Sequence, residues 1–144
     1  MADDPDLLDG LARYLAERGL VAYDPTGASG DCFVELMPSA PAEAVALTIY
    51  DDRAEPDSLL AYDEPRVQVR VRGGTDPRVS RRRCQAIRSA LHGLGPVVLP
   101  DSTELILAVC IQGAAASLGA DENGWHEHVC NFRMEVHSPT VHRP

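Results

Sequence analysis

The stretch 66–72 reads Arg-Val-Gln-Val-Arg-Val-Arg, and Gly73-Gly74-Thr75-Asp76-Pro77 follows it directly. Its valines alternate with Gln or Arg, so one side of a β-strand is apolar and the other is polar. Asp76 is a favoured N-cap and Pro77 suits the first position of a helix. Apolar residues at helical spacing follow as far as Leu94. The segment therefore predicts a strand, a tight turn and an amphipathic helix.

The flanking segments predict the remaining elements. An opening helix is predicted with Asp4 as N-cap and Pro5 in its first position, ending at Gly19. Further strands are predicted at 32–37, 44–50, 97–99, 104–112 and 127–137. Because short turns join several of these strands, we predict an α+β fold, a mostly antiparallel sheet of about five to six strands with two helices packed on it. The length of 144 residues predicts a single domain over 1–144.

Charge is distributed unevenly along the chain. The net charge is −9, yet residues 65–95 hold 8 arginines and a single acidic residue, whereas residues 1–64 hold 15 acidic residues and 3 arginines. Such segregation lets one copy of a molecule attract another. The acidic total disfavours bulk binding of nucleic acid. Without a long apolar run or a basic N-terminus, a membrane span and a secretory signal are not expected.

Few residue patterns predict chemistry. No serine lies in a Gly-x-Ser-x-Gly motif, and a phosphate loop ending in Gly-Lys is impossible because the chain has no lysine. His126, His128 and Cys130 alternate and could ligate zinc, but the same face continues as Phe132 and Met134. We favour a core cysteine with solvated or hydrogen-bonded histidines. The four cysteines are interpreted as small core residues, with a zinc or disulfide framework as the alternative. No enzymatic activity, metal or cofactor is predicted.

The helix after Pro77 is predicted to carry a basic stripe of Arg78, Arg81, Arg82 and Arg88. Three interpretations of this stripe stay open: a solvated helix face, an interface with acidic protein surfaces, or a contact with phosphate. Gly73-Gly74-Thr75 is similarly an anion site or, as we favour, a strand-to-helix turn.

Two segments, 51–64 and 113–125, are predicted to be loops that are mobile alone and become ordered against partners. Leu118 and Trp125 are the apolar exceptions in the second loop, and we predict that they anchor a partner.

The block from Glu64 to Leu94 resembles the central strand–turn–helix of the phage minor capsid or tail terminator family of long-tailed bacteriophages. The opening helix, with Leu7, Leu8, Leu11 and Tyr14, and the closing strand 131–136 are similar to the same family. The resemblance implies a structural virion protein without enzymatic activity. It implies a ring, usually a hexamer, that caps the tail tube, stops tube polymerisation and faces the head-side connector.

From this resemblance we expect the partners to be further copies of the chain, the major tail tube protein and a head-side connector or head-closure protein. DNA is expected to pass through the ring without specific binding, and the protein to lie in the virion after assembly in the host cytoplasm. Two alternatives stay open. One is another neck component, such as a head-closure or tail-completion protein; the other is a small binding module unrelated to virions.

Overall fold

The computed structural model describes residues 5–51 and 53–144. Within them the chain forms two helices and eight strands. In chain order these are α1 (Leu7–Glu17), β1 (Cys32–Val34), β2 (Ala44–Tyr50), β3 (Tyr62–Asp63), β4 (Arg66–Arg72), α2 (Pro77–Leu91), β5 (Val97–Val98), β6 (Glu104–Cys110), β7 (Ala116–Ala120) and β8 (His126–His137). The predicted α+β class is confirmed.

The strands form one sheet in the order β1-β2-β4-β8-β6-β5. All its pairings are antiparallel except that of β1 with β2. The two strands outside this order both pair with β8: β3 continues the line of β4 on one side, and β7 continues the line of β6 on the other. The predicted mostly antiparallel sheet is therefore confirmed, and the long strand β8 is its organising element.

The core lies between one face of the sheet and the two helices. The valines of β4 and the residues Cys130, Phe132 and Met134 of β8 are fully buried in one cluster. The same cluster contains the buried leucines of α1 and the buried face of α2. Burying each large apolar side chain contributes about 1.5–3 kcal/mol before entropy is counted. The alternating valines that predicted strand β4 thus also form part of the surface against which the helices pack.

Helix α1 begins later than the sequence predicts. Asp6 is the N-cap, and its carboxylate accepts hydrogen bonds from the backbone amides of Leu8 and Asp9. The predicted start at Asp4 and Pro5 is therefore wrong; Asp4 itself lies outside the described residues. The predicted end is confirmed, because Gly19 follows the helix with a φ of 73°.

Three predicted strands are shorter in the structure. The strand predicted at 32–37 ends at Val34, because Glu35 has a φ of 63° and so leaves the extended conformation. The strand predicted at 97–99 ends at Val98, and the one predicted at 104–112 ends at Cys110. Beyond Cys110, the backbone amide of Ile111 still donates to the carbonyl of Asn131. The side chain of Gln112 then replaces the backbone pairing: its amide donates to the carbonyl of Val129 and accepts from the amide of Asn131.

The prediction of loops over 51–64 and 113–125 is wrong in part. The first contains β3, and the second contains β7 and the turn of a β-hairpin. In that turn the Asp121 carboxylate accepts from the backbone amides of Asn123 and Trp125. Alanine, glycine and serine favour strands weakly. The strand β7 exists because β8 offers it backbone partners on both sides of a register shift between Ser117 and Gly119.

Candidate interaction surfaces

The first turns of helix α2 carry a basic surface made of exposed arginines. Arg78, Arg81 and Arg82 are exposed. Arg78 donates to the Asp76 carboxylate through Nε at 3.2 Å and Nη2 at 3.1 Å, and this contact lowers the pKa of Asp76. Within the described residues Arg81 and Arg82 have no ion-pair partner. They are the two cations of this surface that remain available to another molecule.

Arg88 lies apart from these three residues. It is half-buried, and its Nη2 donates to the carbonyl of Gln112 at 3.1 Å. One turn earlier, Gln85 accepts from the amide of Ala115. This side of α2 therefore packs on the chain between β6 and β7, so the exposed basic surface is narrower than the predicted stripe. Arg83 is also turned away, because it pairs with Asp31 at 2.7 Å.

The hairpin of β7 and β8 is the second candidate surface. All five residues of β7 are exposed, and Leu118 exposes 54% of its surface. Within the described residues β7 pairs only with β8, so its outer edge carries unpaired backbone donors and acceptors. An exposed leucine beside an open strand edge is a surface suited to contact with another protein.

Trp125, by contrast, is half-buried at the base of the hairpin. The guanidinium of Arg72 lies 5.1 Å from the centre of its ring. Arg72 is only 5% exposed and donates to the carbonyl oxygens of Pro41 at 2.6 Å and Ala42 at 2.9 Å. Trp125 and Arg72 thus connect the hairpin to the segment before β2. The sequence analysis missed this role of Arg72; its only signal was the position at the polar end of β4.

An acid-rimmed groove of about 1380 Å³ lies at the opposite end of the sheet. It is lined where β2 and β8 end and where β4 and β6 begin, and it includes Leu7 from α1. Its carboxylates are Asp51, Glu55, Asp57, Asp63, Glu64 and Glu104. Arg66 and His137 also line it; Asp63 pairs with Arg143 and Glu104 with His137, each at 3.0 Å. The amides of Leu59 and Leu60 donate to Asp57 and lower the pKa of that carboxylate, so it stays ionised at neutral pH. Sequence analysis found the acidic segment but not the groove, which needs the strand ends to be brought together.

The histidine and cysteine pattern at the start of β8 is structural. His128 is buried and shares a hydrogen bond of 2.8 Å between its Nδ1 and the Oγ of Ser80, also buried. The hydrogen-bonded interpretation of this histidine is thereby confirmed. Burial and the nearby charge of Arg81 lower the pKa of His128. A serine–histidine pair needs access to a substrate to act in catalysis, and this pair is enclosed by α2 and the sheet.

The cysteines are core residues. All four are buried free thiols, and the Sγ atoms of Cys84 and Cys130 are 3.4 Å apart. Over residues 5–51 and 53–144, no group of three or more His, Cys, Asp or Glu side chains is arranged to hold a metal ion. In the same residues, no helix is long and apolar enough to cross a membrane.

Gly73 and Gly74 exchange backbone hydrogen bonds with His126, as expected of a strand-to-helix turn.

Charged surfaces and an open strand edge are features through which proteins contact other proteins. A family model described as bacteriophage tail terminator protein matches residues 14–137, which is most of the chain. The chain belongs to this tail terminator family, and it is a structural protein of the virion tail that associates with other tail components. No curated protein is significantly similar to it.

Proposed function

We propose that this protein is a minor virion protein that forms a closed ring, a homohexamer, on the end of the finished tail tube. The ring stops tube polymerisation and offers its other side to the head-side connector or head-closure protein, so that it joins head and tail. The observation that carries this proposal is the match to the tail terminator family over residues 14–137. Residues 1–144 act as one unit in it.

Charge supports the ring. A closed ring needs a heterologous contact, in which one patch of each copy meets a different patch of the next. The basic surface of α2 and the acid-rimmed groove are such a pair, because they lie at opposite ends of one sheet. The net charge of −9 would let DNA slide through the ring without binding specifically.

The candidate interface residues take different roles in this proposal. Arg81, Arg82 and Leu118 contact neighbours directly, since their side chains are exposed. Arg78 adds to the basic surface while it holds Asp76. Arg88 and Trp125 hold the hairpin in position through contacts within the molecule. We assign the hairpin to the major tail tube protein, and we expect assembly in the host cytoplasm before the protein becomes part of the virion.

The test combines native mass spectrometry with electron microscopy of tail tubes. The purified protein, added to growing tubes, should appear as a ring at one tube end and should stop elongation. Rings should dissociate more readily in high salt, because the electrostatic screening length shortens to about 3 Å at 1 M. Monomer alone in the presence of assembled tubes would contradict the proposal. Binding to isolated heads but not to tubes would instead favour a head-closure or tail-completion protein.

A further inference from the structure

We infer that the acid-rimmed groove receives the first turns of helix α2 from the neighbouring copy, and that this contact is the repeating joint of the ring. The inference rests on the proposed ring and names the surfaces that close it. The occupant is a second copy of this chain, entering with the exposed residues Arg78, Val79, Arg81 and Arg82.

The two surfaces of one molecule cannot meet each other. Ser80 of α2 contacts His128 near the start of β8, whereas His137 at the end of β8 lines the groove. His137 lies nine residue steps along the strand from His128, roughly 30 Å at about 3.3 Å per residue. That span is several times the screening length of about 8 Å at physiological salt. The basic surface and the groove are therefore both available to other molecules.

The groove offers more than negative charge. Leu7, Ile49 and Val136 line it together with the carboxylates, and Ile49 remains 42% exposed. Among the carboxylates, Glu55 and Glu104 are exposed, and Glu104 contacts His137 at 3.0 Å. A groove lined by apolar side chains and carboxylates suits an occupant that carries an apolar side chain beside cations.

The first turns of α2 have this composition. Val79 is exposed and lies three residues before Arg82, and Arg78 lies four residues before Arg82, so Arg82 adjoins both side chains on the helix surface. A valine beside arginines complements a groove lined by both apolar side chains and carboxylates. A phosphate backbone could use the arginines but would be repelled by the groove, whereas a second copy uses both ends of every molecule.

A charge-reversal pair tests the joint. One variant carries Arg81→Glu with Arg82→Glu, and the other carries Glu55→Arg with Glu104→Arg. Each variant alone should assemble at least about tenfold more weakly, because reversal turns attraction into repulsion at every joint. An equal mixture should assemble again, since the acidic helix of one variant fits the basic groove of the other, and the native pair remains at the alternate joint.

The matched control is Arg13→Glu with Arg18→Glu, which changes the net charge of the other helix by the same amount and should leave assembly unchanged. Assembly is followed by native mass spectrometry at low salt, and the fold by circular dichroism. The proposed joint is wrong if both reversal variants form rings as well as the natural chain does. It is also wrong if folded variants form no rings when mixed. Neither result contradicts the ring itself. If the natural chain forms no ring, the proposed function fails with it.

Discussion

At the scale of single residues, Arg72 shows how a charged side chain can be buried without a carboxylate partner. Two backbone carbonyls accept its hydrogen bonds and the face of Trp125 covers its guanidinium. The charge is thus solvated by the protein instead of by water. This arrangement makes the hairpin and the segment before β2 depend on one residue.

We expect Arg72→Ala to lower the free energy of unfolding by about 2–4 kcal/mol, because hydrogen bonds to a charged group and a desolvated cation–π contact are lost together. Trp125 is the only tryptophan in the chain, so its fluorescence should shift to the red as its ring becomes exposed. The control is Arg18→Ala, which removes a cation 5.8 Å from the ring of Tyr14 at an exposed site. Unfolding curves that coincide for Arg72→Ala and the natural chain would contradict this account.

His128 makes stability depend on pH. Its pKa is lowered in the folded protein by burial and by Arg81 and His126, from an ordinary value of 6.5. The unfolded chain therefore binds the proton more readily, so this contribution to stability is complete above about pH 6.5 and is lost as the pH falls from there through the folded pKa.

Replacing the histidine tests this coupling. His128→Asn keeps a polar group near the Nδ1 position but does not titrate, so its stability should fall less between pH 7.5 and pH 5. The difference in slope can reach about 1.4 kcal/mol per pH unit. Chemical denaturation at several pH values measures it, with the exposed His142→Asn as control. Parallel stability curves for His128→Asn and the natural chain would rule out this histidine as the sensor.

At the scale of elements, predictability follows the strength of the local pattern. The bounds of β4, the N-cap Asp76 and the start of α2 at Pro77 follow from alternation and capping, and the structure agrees with them. The strand β7 and the groove do not follow from local pattern. Weak strand formers pair in β7 because β8 is next to them, and the groove needs four strand ends that lie far apart in the chain.

Gln112 makes the same point within one side chain. In sequence it extends an apolar strand, yet in the structure its amide forms four hydrogen bonds and bridges the break between β6 and β7. A side chain that substitutes for backbone pairing cannot be recognised from its neighbours in sequence. Only the register on β8 shows it.

We expect Gln112→Ala to loosen the junction and cost about 1–3 kcal/mol, because the amide of Asn131 and the carbonyl of Val129 lose their partner. Hydrogen exchange should become faster at Asn131 and across β7, while β4 stays protected. The matched control is Gln68→Ala, which removes a single hydrogen bond of 3.3 Å to Asn131. Unchanged exchange across β7 would show that the strand is held by its backbone pairing alone.

At the scale of the whole molecule, the surfaces point in different directions. The basic turns of α2 and the start of β8 lie at one end of the sheet, the groove lies at the other, and the outer edge of β7 faces sideways. If the two ends are used between copies, the hairpin remains free for a different partner. The proposed tube contact therefore depends on Leu118, which belongs to neither the basic surface nor the groove.

Leu118→Asp should leave the ring intact and weaken capping of the tube. An exposed leucine costs little to replace in the free protein, but a carboxylate placed against a partner must be desolvated without a cation. The matched control is Leu36→Asp, at a leucine with 61% exposure outside the hairpin. The measurement is the length distribution of tubes grown with each variant, together with native mass spectrometry of the variant alone.

Hydrogen exchange decides whether the hairpin is the contact or only lies near it. The inner edge of β7 is already paired with β8, and the amides of Asn123, Gly124 and Trp125 are hydrogen-bonded within the turn, so in the free protein the amides on the outer edge of β7 should exchange fastest in the hairpin. In the capped tube these amides should become protected, and residues 53–61 should become protected wherever the ring closes. Protection of 53–61 without any change in the hairpin would leave the ring in place and move the tube contact to another exposed edge, of which the short strand β5 is the next candidate.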